Sequence, residues 1–178
     1  MIWLNIGPPR TGTTSLWTFL KEYEEIYTWP RKEMFKLKNF DEPYEIDTPD
    51  LDSYFDVPRN YKFYLDGTPF LYMREFGYVL KEIKEYFTEI YFIYLLRNKE
   101  EHRKSLINFY LKNKEGYSDI DIKNILNRTK KDKFQDNMRY IKSFADKVLQ
   151  TKIKKEPILD FLGLKDKNIE IKKLNTIW

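Results

Sequence analysis

An apolar run that stops at a glycine–proline turn and passes at once into a helical stripe constrains this chain more than any other feature. Ile2 to Ile6, "IWLNI", reads as a buried strand, and Gly7-Pro8-Pro9 reads as the tight loop that ends it. Leu16, Phe19, Leu20 and Tyr23 then recur at i, i+3, i+4 and i+7, the apolar face of an amphipathic helix. The pattern returns twice. "YKFYLDGTP" (Tyr61 to Pro69) has the look of a second buried strand closed by a turn, followed by a helical stripe at Phe76, Val79, Leu80, Ile83 and Phe87. "IYFIYLL" (Ile90 to Leu96) is the clearest strand; it ends at Arg97, and Leu106, Phe109 and Tyr110 mark the next helix. Strands alternating with helices predict right-handed βαβ units, hence a three-layer α/β/α fold around a central parallel sheet. In such sheets ligands bind off the carboxyl ends of the strands, where the first loop, Asp66 and Arg97 all fall.

The rest of the chain is expected to complete one domain spanning residues 1–178. Lys112 to Asp136, which contains "NRTKKDK", reads as a solvated loop or exposed helix face. Met138, Ile141, Phe144 and Val148 carry helical spacing, and "EPILDFLGL" places Pro157 near a helix start and Gly163 at its end. Apolar residues at 42% and charged residues at 34% describe a globular mixture. No apolar run approaches the ~18 residues of a membrane span. The N-terminal run reads as a strand and not as a signal peptide. Cysteine is absent, which removes thiolate chemistry and fits a cytoplasmic location. A net charge of +4 suits a small anionic ligand and is too weak to argue for nucleic acid.

Gly7 to Thr14 carries the chemistry. The spacing is that of a phosphate-binding loop, G-x-x-x-x-G-K-[ST], but Thr13 stands at the lysine position and Arg10 lies within the loop. A glycine-rich turn entering a helix presents backbone N–H groups to an anion, and the helix dipole adds to the attraction. The hydroxyls of Thr11, Thr13, Thr14 and Ser15 add donors around Gly12, and Arg10 adds a planar fork suited to paired phosphate or sulfate oxygens. Without the lysine that reaches the β- and γ-phosphates, ATP or GTP hydrolysis suffers more than binding of a less charged phosphate ester. Threonines that merely cap the helix are the plain alternative.

These residues bear a family resemblance. "IGPPRTGTTSL" is similar to the 5′-phosphosulfate loop of sulfotransferases that use 3′-phosphoadenosine-5′-phosphosulfate (PAPS), among them the heparan-type, tyrosylprotein and bacterial enzymes. "LRNKEEHRKSLINFY" resembles the segment in which a strand-end arginine and a serine eight residues later hold the cofactor's 3′-phosphate, here Arg97 and Ser105, with Lys99 in place of the usual proline. "PRKEMFKL" resembles the segment that carries the catalytic base, which places it at Glu33 beside Lys32. "DGTPFLY" resembles an acceptor-side segment, with Gly67 where a lysine is usual, and "ILDFLGL" a C-terminal signature. A further family strand, expected before that signature, has only a poor match in "FADKVLQTKIKKE", and the segment that closes over the 3′-phosphate has none beyond Lys172 and Lys173.

The resemblance implies a P-loop NTPase-like sulfotransferase fold, PAPS as cofactor with no metal, and a small-molecule or glycan acceptor. Arg10, Thr11, Gly12, Thr13, Thr14, Ser15, Arg97 and Ser105 would hold the cofactor. Arg10 would stabilise charge at the leaving oxygen and Glu33 would take the acceptor's proton. His102 reads as a surface or second-layer residue. Two rival readings share the loop. One is a nucleotide kinase in which Asp66 and Thr14 share a magnesium ion, and the other a non-catalytic nucleotide-binding module.

Overall fold

The structure, a computed structural model, describes residues 1–39, 45–112 and 134–172. Its centre is β1 (Ile2–Gly7), every residue of which is buried. β1 pairs in parallel with β5 (Phe63–Asp66) on one side and with β6 (Glu89–Leu95) on the other. β2 (Ile26–Thr28) extends the sheet beyond β5, and β7 (Lys147–Thr151) beyond β6, giving the all-parallel order β2-β5-β1-β6-β7. A strand covered on both faces has no polar side to display, which is why "IWLNI" shows a near-continuous apolar run.

The twofold alternation of strand side chains divides the core. Ile2, Leu4 and Ile6 of β1, with Phe63, Leu65, Tyr91, Ile93 and Leu95, face helices α1 (Thr13–Leu20) and, further along the chain, Lys155–Leu162. Trp3 of β1, with Tyr64, Ile90, Phe92 and Tyr94, faces the opposite layer, which includes helix Gly77–Tyr86 and residues Met138 and Ile141 of helix Phe134–Phe144. The other α-helices among the described residues are Leu51–Phe55 and Lys99–Lys112. In chain order the helices after α1 are thus α2 (Leu51–Phe55), α3 (Gly77–Tyr86), α4 (Lys99–Lys112), α5 (Phe134–Phe144) and α6 (Lys155–Leu162). A short antiparallel hairpin, β3 (Lys36–Asn39) with β4 (Glu45–Asp47), stands apart from the sheet. Among the described residues no helix is long and apolar enough to cross a membrane.

The expected strands and helices lie close to where the pattern put them, and α6 ends at Gly163 in the left-handed conformation. Two expectations need correction. The helix through Met138 and Ile141 stops at Phe144, and Val148 belongs to β7. The segment "FADKVLQTKIKKE", a poor match to the further family strand, does contain a strand, which is that same β7. It lies at the sheet edge with no fully buried residue, so its side chains were never selected for the apolar alternation that betrays an inner strand. Most of the lysine-rich stretch between Lys112 and Asp136 lies outside the described residues, as does Lys173.

A buried polar network sits at the end of β5. Asp66 is fully buried; its Oδ1 accepts from the Thr68 N–H at 2.8 Å and the Thr68 hydroxyl at 2.6 Å, and its Oδ2 accepts from the Tyr54 hydroxyl at 2.9 Å. Tyr54 in turn accepts from Trp3 Nε1 at 2.8 Å, and Asn5 Nδ2 donates to the carbonyls of Asp66 and Thr68, each at 2.9 Å. Between them, Gly67 packs against the chain before β3. Its N–H donates to the Lys32 carbonyl at 2.8 Å. A side-chain carbon at residue 67 would lie 2.6 Å from Lys32 Cγ, 2.8 Å from the Lys32 oxygen and 3.1 Å from Trp17 Cδ1. The position that resembles a lysine site has room for hydrogen only.

The network makes stability depend on pH and on the size of residue 67. Burial raises the Asp66 carboxyl from 3.8 to about 6, against the opposing pull of the Thr68 and Tyr54 hydrogen bonds. The fold thus holds the protonated form better; this contribution is whole below 3.8 and is lost as pH rises through about 6. Relative to Asp66→Asn, which does not titrate, the wild type should lose roughly 3 kcal/mol of unfolding free energy between pH 3 and pH 8, measured by urea denaturation at both. Gly67→Ala should cost about 1–3 kcal/mol, because the Lys32 backbone must move to admit the methyl group; the midpoint of thermal unfolding reads it.

Candidate functional site

The loop that leaves β1 is held in place by hydrogen bonds to its own carbonyls. Thr11 Oγ1 donates to the Pro8 carbonyl at 2.6 Å, closing the turn on itself. Arg97, just beyond β6, donates from Nη1 to the Arg10 carbonyl at 2.8 Å. His102 Nε2 lies 2.8 Å from the Pro9 carbonyl, an acceptor-only group, so this nitrogen carries the proton. Arg10 itself has φ of 63°, a left-handed conformation that costs a side-chain-bearing residue about 1 kcal/mol or more. Gly12 comes next but one with φ of 105°, and from there α1 begins, its first intrahelical bond running from the Leu16 N–H to the Gly12 carbonyl at 3.0 Å. No side chain caps this helix at Gly12. The N-cap position is thus a glycine and not one of the threonines, and the first-turn N–H groups have no acceptor within the helix.

Helix α4 brings its side chains to the same place. Asn98 Oδ1 accepts from the N–H groups of Glu100 and Glu101 and starts the helix, which points His102 and Ser105 toward the loop. Arg10 Nε donates to Ser105 Oγ at 3.2 Å. The residues singled out separately in the sequence, Arg10 on one segment and Arg97 with Ser105 on another, thus form a single cluster. Thr11, Thr13 and Ser15 are buried in it, while Gly12 and Thr14 are half-buried. Arg97 is more open and also pairs with Glu101 at 3.5 Å.

The cluster is crowded with positive charge. Burial and the nearby Arg97 hold the Arg10 guanidinium below its ordinary value, though it stays protonated at neutral pH. Burial lowers the His102 imidazole; the bond to Pro9 opposes this, and Arg97 and Arg10 lower it further. Of the two places the sequence left open for His102, the surface or a second layer behind the site, the structure shows the second: it ties helix α4 to the loop. Its signal was only its place on the helix after Arg97, five residues on and three before Ser105. Ile153, just past β7, lies against the loop as well, with Cδ1 3.1 Å from where a side-chain carbon on Gly12 would stand.

Glu33 lies on the segment docked against the β5 turn. Its Oε1 accepts from Lys32 Nζ at 2.7 Å, and its side chain is 42% exposed where that of Lys32 is 17% exposed. Solvent weakens such a pair to a fraction of a kcal/mol up to about 1. This segment reaches the loop side of the sheet through Gly67, which packs against both Lys32 and Trp17 of α1. A cleft of about 190 Å³ flanks it, lined by Pro30, Arg31, Met34, Lys36, Asp47, Thr48 and Pro49. Of the aromatic residues near this side of the sheet, Tyr23, Phe35 and Phe70 are buried in the core, and Tyr27 and Tyr72 are half-buried. Asp66, considered as a magnesium ligand, has both oxygens engaged by Tyr54 and Thr68 and is inaccessible to solvent.

No family model matches the sequence, and no curated protein matches it. The fold does have a counterpart. The crystal structure of a sulfotransferase from Alicyclobacillus acidocaldarius superposes with a TM-score of 0.60 at 15% identity, over 96% of this chain and 86% of that one. At that identity the likeness concerns the fold, and the fold of this chain is that of a sulfotransferase.

Proposed function

We propose that the protein transfers a sulfuryl group from PAPS to a hydroxyl or amine of a small-molecule or glycan acceptor. The observation that carries this reading is the gathering of Arg10, Arg97 and Ser105 around a loop that leads into a helix N-terminus. The donor set fits a phosphosulfate: several backbone N–H groups, among them those of Thr11 and Gly12, the hydroxyls of Thr13, Thr14 and Ser15, and two guanidinium groups, while the Thr11 hydroxyl braces the turn on the Pro8 carbonyl. The likeness in fold to a sulfotransferase supports the same reading.

PAPS supplies the sulfuryl group on a phosphate leaving group. The protein's part is to bind and to orient. Arg10 and the loop N–H groups, with Thr13 and Thr14, neutralise the charge that builds on the leaving phosphate oxygen. Arg97 and Ser105 hold the 3′-phosphate, and His102 keeps the loop carbonyl turned away from the anion by binding it. Glu33 accepts the acceptor's proton at Oε2, the oxygen that does not face Lys32. The cleft lined by Arg31 and Met34, the residues on either side of the Lys32–Glu33 pair in the chain, receives the acceptor.

Titration calorimetry with 3′,5′-adenosine bisphosphate and with Mg-ATP tests the assignment. Micromolar binding of the bisphosphate in the presence of EDTA is the expected result; preference for Mg-ATP would overturn it. Arg97→Ala should weaken the bisphosphate tenfold or more, since it removes a cation and releases the Arg10 carbonyl. Glu33→Ala should abolish transfer from radiolabelled PAPS in an acceptor screen while bisphosphate affinity stays within about threefold of wild type.

A further inference from the structure

Glu33 belongs to a stretch with almost no regular structure, yet that stretch is tied down at three points. At its start, Trp29 Nε1 donates to the Tyr54 carbonyl at 3.1 Å, and the two rings stack with centroids 4.5 Å apart. In the middle, the Lys32 carbonyl accepts from the Gly67 N–H at 2.8 Å. Immediately after Glu33, the Met34 and Phe35 N–H groups both donate to the Thr68 hydroxyl oxygen, at 3.0 and 3.2 Å. Thr68 is fully buried. Its oxygen can accept two N–H bonds only if its own proton goes elsewhere, and that proton goes to Asp66 Oδ1 at 2.6 Å. Asp66 is in turn fixed through Oδ2 by Tyr54, the residue that also holds Trp29.

The acceptors and donors along these bonds are therefore assigned without ambiguity. Asp66 orients the Thr68 hydroxyl, and the oriented hydroxyl holds the two peptide groups after Glu33. We propose that Thr68, oriented by Asp66, is a positioning residue that holds Glu33 in its working place at the carboxyl edge of the sheet. The proposal rests on the reading of Glu33 as the base. An apolar contact would keep the segment packed but could not fix its register, because only a directional bond distinguishes one peptide plane from its neighbour. A displacement of about 1 Å at a reacting group can lower a rate by about a hundredfold.

The test uses Thr68→Val, which keeps the shape and removes the hydroxyl, and Thr68→Ser, which restores it. Wild-type transfer from PAPS, lost in Glu33→Ala, is established first; its absence would be the failure of the sulfotransferase reading and would overturn the proposal with it. With transfer established, Thr68→Val should lower kcat 10- to 100-fold while bisphosphate affinity changes less than threefold, and Thr68→Ser should recover kcat to within about threefold of wild type. A Thr68→Val enzyme that keeps its kcat, or that loses kcat and bisphosphate affinity in parallel, overturns the proposal while leaving the function standing. Failure of Thr68→Ser to recover kcat also overturns it. Hydrogen exchange on the wild type covers the case in which Thr68→Val does not fold: the Met34 and Phe35 amides should be protected at least 100-fold over free-peptide rates, and unprotected amides overturn the tether.

Discussion

β1 is paired along both edges and covered on both faces, and the rest of the molecule is arranged around that confinement. A strand so enclosed can end only by projecting its next residues off the carboxyl edge of the sheet. The loop from Gly7 to Gly12 is consequently delivered between the ends of β5 and β6, where the chain crosses from one side of β1 to the other. The segments leaving β5 and β6 then reach this loop from opposite sides: the Gly67 turn with the Glu33 segment from one, Arg97 and helix α4 from the other. Neither group could serve this loop from a different strand order.

The two sides are built on different physics. The α4 side is electrostatic and partly open, with like charges brought near one another and loop carbonyls taken up by Arg97 and His102. The Glu33 side is buried and directional, a sequence of neutral and charged hydrogen bonds ending on a carboxyl that the interior would rather see protonated. This division suits a site where one half must attract a charged ligand and the other must hold a single oxygen in place.

How much of this could be read from residue order depended on where each element sits. Inner strands announced themselves, because burial on both faces leaves "IWLNI" and "IYFIYLL" almost wholly apolar. The sheet-edge strand β7 did not, since half-exposed side chains of either kind satisfy it. Within the site, the glycine spacing and Arg10, Arg97 and Ser105 were legible as residue types on the proper elements. Their convergence on one another was not, because Arg10 and Ser105 are 95 positions apart and nothing local encodes that contact. The same holds for Asp66. As a residue ending a strand it was placed at the ligand edge, with magnesium as its partner in the kinase reading; Thr68 and Tyr54, the latter brought in from a short helix that no periodicity marked, hold it in the interior.

Where β7 stops also bears on how the protein keeps to itself. Among the described residues the sheet ends in three residues at β2 and five at β7, and open strand edges are templates on which other chains can add. β7 begins at an exposed Lys147, and exposed Lys152 and Lys154 lie just past its last residue. A strand laid alongside β7 would meet charge just past its end, at Lys152 and Lys154, a placement that disfavours edge-to-edge addition. The polar character that hides this strand in the sequence is also what suits it to a sheet edge.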